Sequence, residues 1–137
     1  MTLYHLTIHD PETSYDGYDE AFFIGVFRTG EEAEQTARRY LTSVPGFKDY
    51  PCVYSIHEKP LRGEALQDDR VYWAQGWNWN ENQDETDLVE SDDFASEAGA
   101  EAALSEMKRE QPRTEWLVLW AVPGQCDWRE GFDRCSR

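Results

Sequence analysis

Basic side chains are scarce in this chain: 13 Lys and Arg stand against 28 Asp and Glu, a formal charge of −15 with a pI near 4.4. A nucleic-acid binder draws much of its affinity from neutralising phosphates, so a field of this sign excludes direct nucleic-acid binding and disfavours anionic membranes. Apolar runs are short, and none approaches the ~20 residues needed to cross a bilayer. Cysteine is sparse as well. Cys52, Cys126 and Cys135 form an odd set without a C-x-x-C pair, and the polar opening MTLYHLTIHD stands where a signal peptide would; together they point to a reducing cytoplasm. Signatures of catalysis are missing: there is no nucleophile elbow, no H-E-x-x-H and no P-loop, and the nine glycines are scattered instead of gathered into a phosphate cradle. A non-enzymatic role without a cofactor is expected.

What the chain does have is aromatic mass. Six Trp, seven Tyr and six Phe in 137 residues argue against disorder, and a single domain of this length removes roughly two thirds of its unfolded surface from water. Laid on itself, the sequence repeats at an offset of 67. Phe27-Arg28-Thr29 leads into a helical pattern carrying Ala33, Glu34, Ala37 and Tyr40 and ending at Pro45; Phe94-Ala95-Ser96 leads into Ala100, Glu101, Leu104 and Met107, ending at Pro112. Thr29 with Glu32 reads as a capping box, and Ser96 as the second cap. Strands are expected at Leu3–His9, Ala21–Phe27, Cys52–Glu58, Val71–Trp79, Thr86–Glu90 and Glu115–Val122. The last of these is apolar on both faces, which predicts a central strand. The expectation is therefore an α+β domain spanning 1–137, in which two ββαβ units (1–60 and 71–123) form a mixed, mainly antiparallel sheet with two helices. A connector, 61–70, joins the units, and a tail, 124–137, packs back through Trp128 and Phe132.

The stretch IGVFRTGEEAEQTARRY…VPGFKDYPCVYSIHE resembles a family of small bacterial domains of uncharacterised function. In that family a G-V-[YF]-[ST] strand end leads through an Ala/Glu-rich helix into a P-G-F-x-D-[YF]-P loop and a short strand. The family's W-x-x-G-[FW] element occurs twice here, as Trp73-Ala74-Gln75-Gly76-Trp77 and Trp128-Arg129-Glu130-Gly131-Phe132. The second unit lacks the P-G-F-x-D-Y-P loop. This resemblance implies a fold and a bacterial or phage setting, and no catalytic residue or cofactor; by size and charge alone the chain looks like an immunity protein or a phage-encoded inhibitor.

Acids are unevenly spread. Residues 71–107 hold ten and no Lys or Arg, and residues 1–27 are likewise free of bases. The candidate partner-binding residues are Asp16, Asp19, Glu20, Glu81, Asp84, Glu85 and Asp87 for charge, with Tyr18 and Trp79 as anchors, on two hairpin tips that would steer a basic protein and grip its Arg and Lys. The expected partner is a nuclease, toxin or CRISPR effector, blocked by mimicry of a phosphate backbone; the edges of such a sheet could also pair two copies into a homodimer. Metal ligation is disfavoured, since no EF-hand spacing is present and no Cys or carboxylate stands at a metal spacing with His5, His9 and His57. An enzyme would have to rest on His9, His57 or Cys52. The alternative from another class is a small-molecule sponge whose pocket is lined by Trp73, Trp77, Trp79, Trp116 and Trp120.

Overall fold

Alternating apolar residues and two capped helices produce seven strands and two helices in the computed structural model, which describes residues 1–11 and 21–132. In the first unit, β1 (Thr2–His9) is flanked by β2 (Ala21–Phe27) and β3 (Val53–Arg62), both antiparallel to it, with α1 (Gly30–Ser43) between β2 and β3 in sequence. The second unit has one strand more and does not repeat the first element for element. Its β4 (Val71–Trp79) is flanked on one side by β5 (Glu85–Glu90) and β6 (Asp93–Phe94) in succession, and on the other by β7 (Glu115–Ala121), with α2 (Glu97–Glu110) before β7. The units join edge to edge by a two-residue parallel ladder, Leu61 opposite Asp93 and Arg62 opposite Phe94. The result is one mixed, mainly antiparallel curled sheet, as the α+β reading expects.

The helix caps fall where the sequence puts them. Thr29 Oγ1 accepts from the Glu32 N–H and Ser96 Oγ from the Gly99 N–H, each at 3.1 Å, satisfying amides that have no partner inside a first turn. Register then decides the layers. Tyr4, Leu6 and Ile8 of β1 lie on the face that carries Tyr54 and Ile56 of β3 and, through Arg62 and Phe94, Tyr72 of β4. That face receives α1, whose Ala33, Ala37 and Tyr40 close over Leu6, Ile8, Ile24 and Phe27, and it receives α2 next to Phe94. Both helices therefore sit on one outer face. The inner face carries Leu3, His5 and Thr7, then His57, Lys59 and Leu61, Asp93, and Val71, Trp73 and Gln75; a small apolar cluster of Leu3, Val26, Val71 and Trp73 fills one end of it.

The central place expected for the Glu115–Val122 strand is not what is found. Among the described residues β7 pairs with β4 alone and forms an end of the sheet, while Leu117 and Trp120 are 46% and 52% exposed. Its apolar character on two faces reflects α2 on one side and Leu119 and Ala121 in the inner cluster on the other; covered faces and paired edges are separate properties. From β7 the chain crosses to the opposite end of the sheet. The Gly124 and Asp127 N–H groups donate to the Val26 and Ile24 carbonyls at 2.8 and 2.7 Å, so the tail lies along the outer edge of β2 and draws the curl toward closure.

The tail also packs back through its two rings as expected. Trp128 and Phe132 meet Phe22 with centroids 4.8 and 4.7 Å away, and the Phe132 N–H donates to the Pro45 carbonyl. Gly131 and Gly46 take positive φ, and a Cβ on Gly131 would overlap the Pro45 carbonyl and one on Gly46 the Phe132 carbonyl, so the P-G-F loop and the W-x-x-G-F turn fit only with glycine at both positions. The two W-x-x-G-[FW] elements are not equivalent in structure. Trp73–Trp77 is extended within β4, where Gly76 leaves room for the Trp116 ring across the ladder, whereas Trp128–Phe132 is a turn.

Candidate functional site

Two places gather the chemistry that the sequence singles out. The first is the β4–β5 hairpin tip. Asn80 builds it: its Oδ1 accepts from the Asn82 and Asp84 N–H groups at 2.8 and 2.9 Å, and its own N–H donates to the Asp84 carbonyl. This turn brings together Glu81, Asp84 and Glu85, with Trp79 opposite Glu85 across the ladder and 40% exposed. Asp87 follows at a bulge with φ 55°, its carboxylate held by the Asn78 amide at 3.1 Å and its carbonyl by Arg113 Nε. The Asp84 carboxylate likewise accepts from the Asn80 amide. Amides orient these carboxylates without cancelling their charge. The other expected tip residues, Asp16, Tyr18, Asp19 and Glu20, lie outside the described residues, as does Cys135.

Not every acid of the base-free segment contributes to a solvent-facing field. Asp93 is fully buried, its two carboxylate oxygens 2.9 and 2.8 Å from His5 Nε2. Glu90 stands 3.4 Å from Lys59 Nζ, and Asp92 2.8 Å from Arg62. All three bases come from the first unit. These acids therefore join the two halves where the β3–β6 ladder is only two residues long. No spacing rule signals a His–Asp contact 88 residues apart; only the register that stacks β1, β3 and β6 on one face produces it.

The second place is the inner face of the curl. A cavity of about 300 Å³ opens there, lined by His5, Thr7, Phe23, Trp73, Gln75 and Glu90, with Leu119 and the exposed Trp120 and Asp127 at its rim. Trp73 organises the wall. Its Nε1 donates to Glu90 Oε2 at 3.0 Å, its ring stands 4.7 Å edge-on from His5, and Lys59 Nζ lies 5.4 Å from its centroid. Gln75 Nε2 donates to the same Glu90 oxygen. His57 faces His5 directly across the β1–β3 ladder. Burial pushes its imidazole below the ordinary value, against the pull of Glu90; His5, Lys59 and His9 add to the lowering.

Of the tryptophans expected to line a pocket, Trp73 and Trp120 do so. Trp116 faces Gly76 on the other side of the sheet, and Trp79 belongs to the hairpin tip. His5, His9 and His57 share a strand face, yet among the described residues no group of three His, Cys, Asp or Glu is placed to hold a metal. His9 is taken up by Ser55 and the Asp10 carbonyl. Cys52 and Cys126 border the first core. Among the described residues no helix is long and apolar enough to cross a membrane. Comparison with family models, with curated proteins and with solved structures returns no match.

Proposed function

We propose that this chain is a non-enzymatic binding protein of a bacterial or phage cytoplasm, related to the small domains its first unit resembles. Its acidic hairpin tip enters a basic groove of a nuclease or other nucleic-acid-handling effector and blocks it, as an immunity protein or an anti-CRISPR inhibitor would, by imitating a phosphate backbone. One observation carries the reading. Asp84 and Asp87 are held in place by neutral amides beside a half-exposed Trp79, while Glu90, Asp92 and Asp93 are matched by bases of the chain's own first unit. Pre-oriented carboxylates next to an aromatic anchor are what a cationic groove recognises, and the net charge of −15 steers encounter with it.

The test is capture by the immobilised protein from a bacterial lysate at low salt, run beside the triple variant Asp84→Lys, Glu85→Lys, Asp87→Lys. Basic nucleases or nucleic-acid-binding proteins should be retained by the parent chain, and their nuclease activity should fall on titration with it. Retention should drop steeply between about 50 and 200 mM salt. The triple variant should lose them mainly through a slower association rate, with its thermal midpoint nearly unchanged. Equal retention of the same proteins by both chains, indifferent to salt, overturns the reading.

A further inference from the structure

We propose that the inner cavity is a binding site for one small, uncharged, polar ring compound, a property independent of the acidic tip. The volume of about 300 Å³ lies at the low end of ligand sites and equals roughly ten waters, enough for one sugar or heterocycle. The site is built rather than incidental. Thr7 is 4% exposed, lines the cavity, and its Oγ1 has no hydrogen-bond partner among the described residues. A hydroxyl buried in that state is unfavourable unless something else bonds to it. Nearby, Gln75 has committed its amide N–H to Glu90, which leaves its carbonyl oxygen as an acceptor. Phe23 and Trp73, with centroids 5.7 Å apart, supply aromatic surface for the flat side of a ring.

Charge selects the class. Among the described residues, Glu90 stands 3.4 Å from Lys59 and accepts from the N–H groups of Trp73 and Gln75, and Asp93 meets His5, so each acid of the deep walls is already engaged by a base or a donor. The field of a chain with net charge −15 further repels anions. A neutral ring bearing both a hydrogen-bond donor and an acceptor fits Thr7, Gln75 and the aromatic wall together. Sugars and nucleobases share that chemistry.

The experiment titrates the full chain with D-ribose, D-glucose, cytosine and adenine, each up to about 10 mM, a range suited to weak fragment-sized ligands. Glucose 6-phosphate and choline serve as charged controls. Quenching of Trp fluorescence and amide chemical shifts at Thr7, Trp73 and Gln75 report binding. At least one neutral probe should bind with shifts confined to those residues, and the sugar and base arms identify the source. Thr7→Val should weaken that probe about tenfold while raising the ligand-free Tm by about 2–4 °C, because it removes an unpartnered hydroxyl. A purely structural Thr7 would not give effects of opposite sign. The proposal is overturned if all four neutral probes fail, if a charged control binds as well as the neutral ring, or if Thr7→Val leaves affinity unchanged.

Discussion

Each half of the chain lays one hydroxyl-capped helix on the outer face of antiparallel strands, yet the two helices seat differently. Helix α1 buries Ala33, Thr36, Ala37 and Tyr40; α2 buries only Ala100. The first unit owns a loop, Pro45-Gly46-Phe47, and the tail crosses the molecule to lock onto it, stacking Phe132 on Phe22 and setting it edge-on to Phe47, with Trp128 edge-on to Phe22. The second unit has no such loop and, among the described residues, nothing laid over it in the same way. A shared outer face thus sets where helices lie, and an added clasp sets how deeply one of them is sealed.

The largest test of this contrast lies in the two W-x-x-G elements. Gly131→Val combines a φ of +83° with overlap of the Pro45 carbonyl, and should remove about 3 kcal/mol or more of unfolding free energy. Gly76→Ala sits in an ordinary strand and meets the Trp116 ring, at 2.6 Å, which is a side chain that can tilt; about 1–2 kcal/mol is expected. Denaturant melts of the two variants compare them directly, and equal losses would mean that the tail does not clasp the first unit.

A smaller effect separates the helices themselves. Ala37→Leu overfills a site with no exposure and should cost about 1–3 kcal/mol. The same change at the half-buried Ala103 of α2 should stay within about 0.5 kcal/mol. Similar costs at both positions would erase the difference in seating.

The mildest effect is chemical. Tyr40 donates its O–H to the Asp127 carbonyl at 2.8 Å, tying α1 to the tail. Burial, with Cys126 adding and Arg39 and Arg129 opposing, pushes this phenol up to about 12. In the unfolded chain it ionises near 10. The folded form therefore holds the proton longer, its contribution is complete below pH 10, and stability declines as pH climbs from 10 to about 12. Tyr40→Phe should cost about 1 kcal/mol at neutral pH and flatten this part of the alkaline decline, read by thermal melts across pH 9–12. An unchanged decline would place its origin elsewhere.

Much of the fold was legible before any coordinates. Alternation at Tyr4, Leu6 and Ile8, the caps at Thr29 and Ser96, and the apolar stripes of both helices are local signals, and local signals survive into the structure. What escaped was set by pairing between distant segments. The edge position of β7 could not be told from its composition, because an apolar face records what covers it and not what lies beside it. Two W-x-x-G strings looked alike, but one faces a cross-strand Trp and the other a loop 86 residues earlier. The charge count treated Glu90, Asp92 and Asp93 as part of an outward field, while the register turns them toward Lys59, Arg62 and His5. The hairpin tip itself was readable from the acids gathered there, while the role of Asn80 in building its turn emerged only from the structure. The inner cavity was visible only as a surplus of tryptophan.

The glycine clasp also bears on biosynthesis. Because Gly131 and Phe132 close over Pro45 and Phe47, the first unit reaches its finished core only after the second unit has been translated. An N-to-C order of maturation is thereby broken, since a unit made earlier waits for residues made later to seal it.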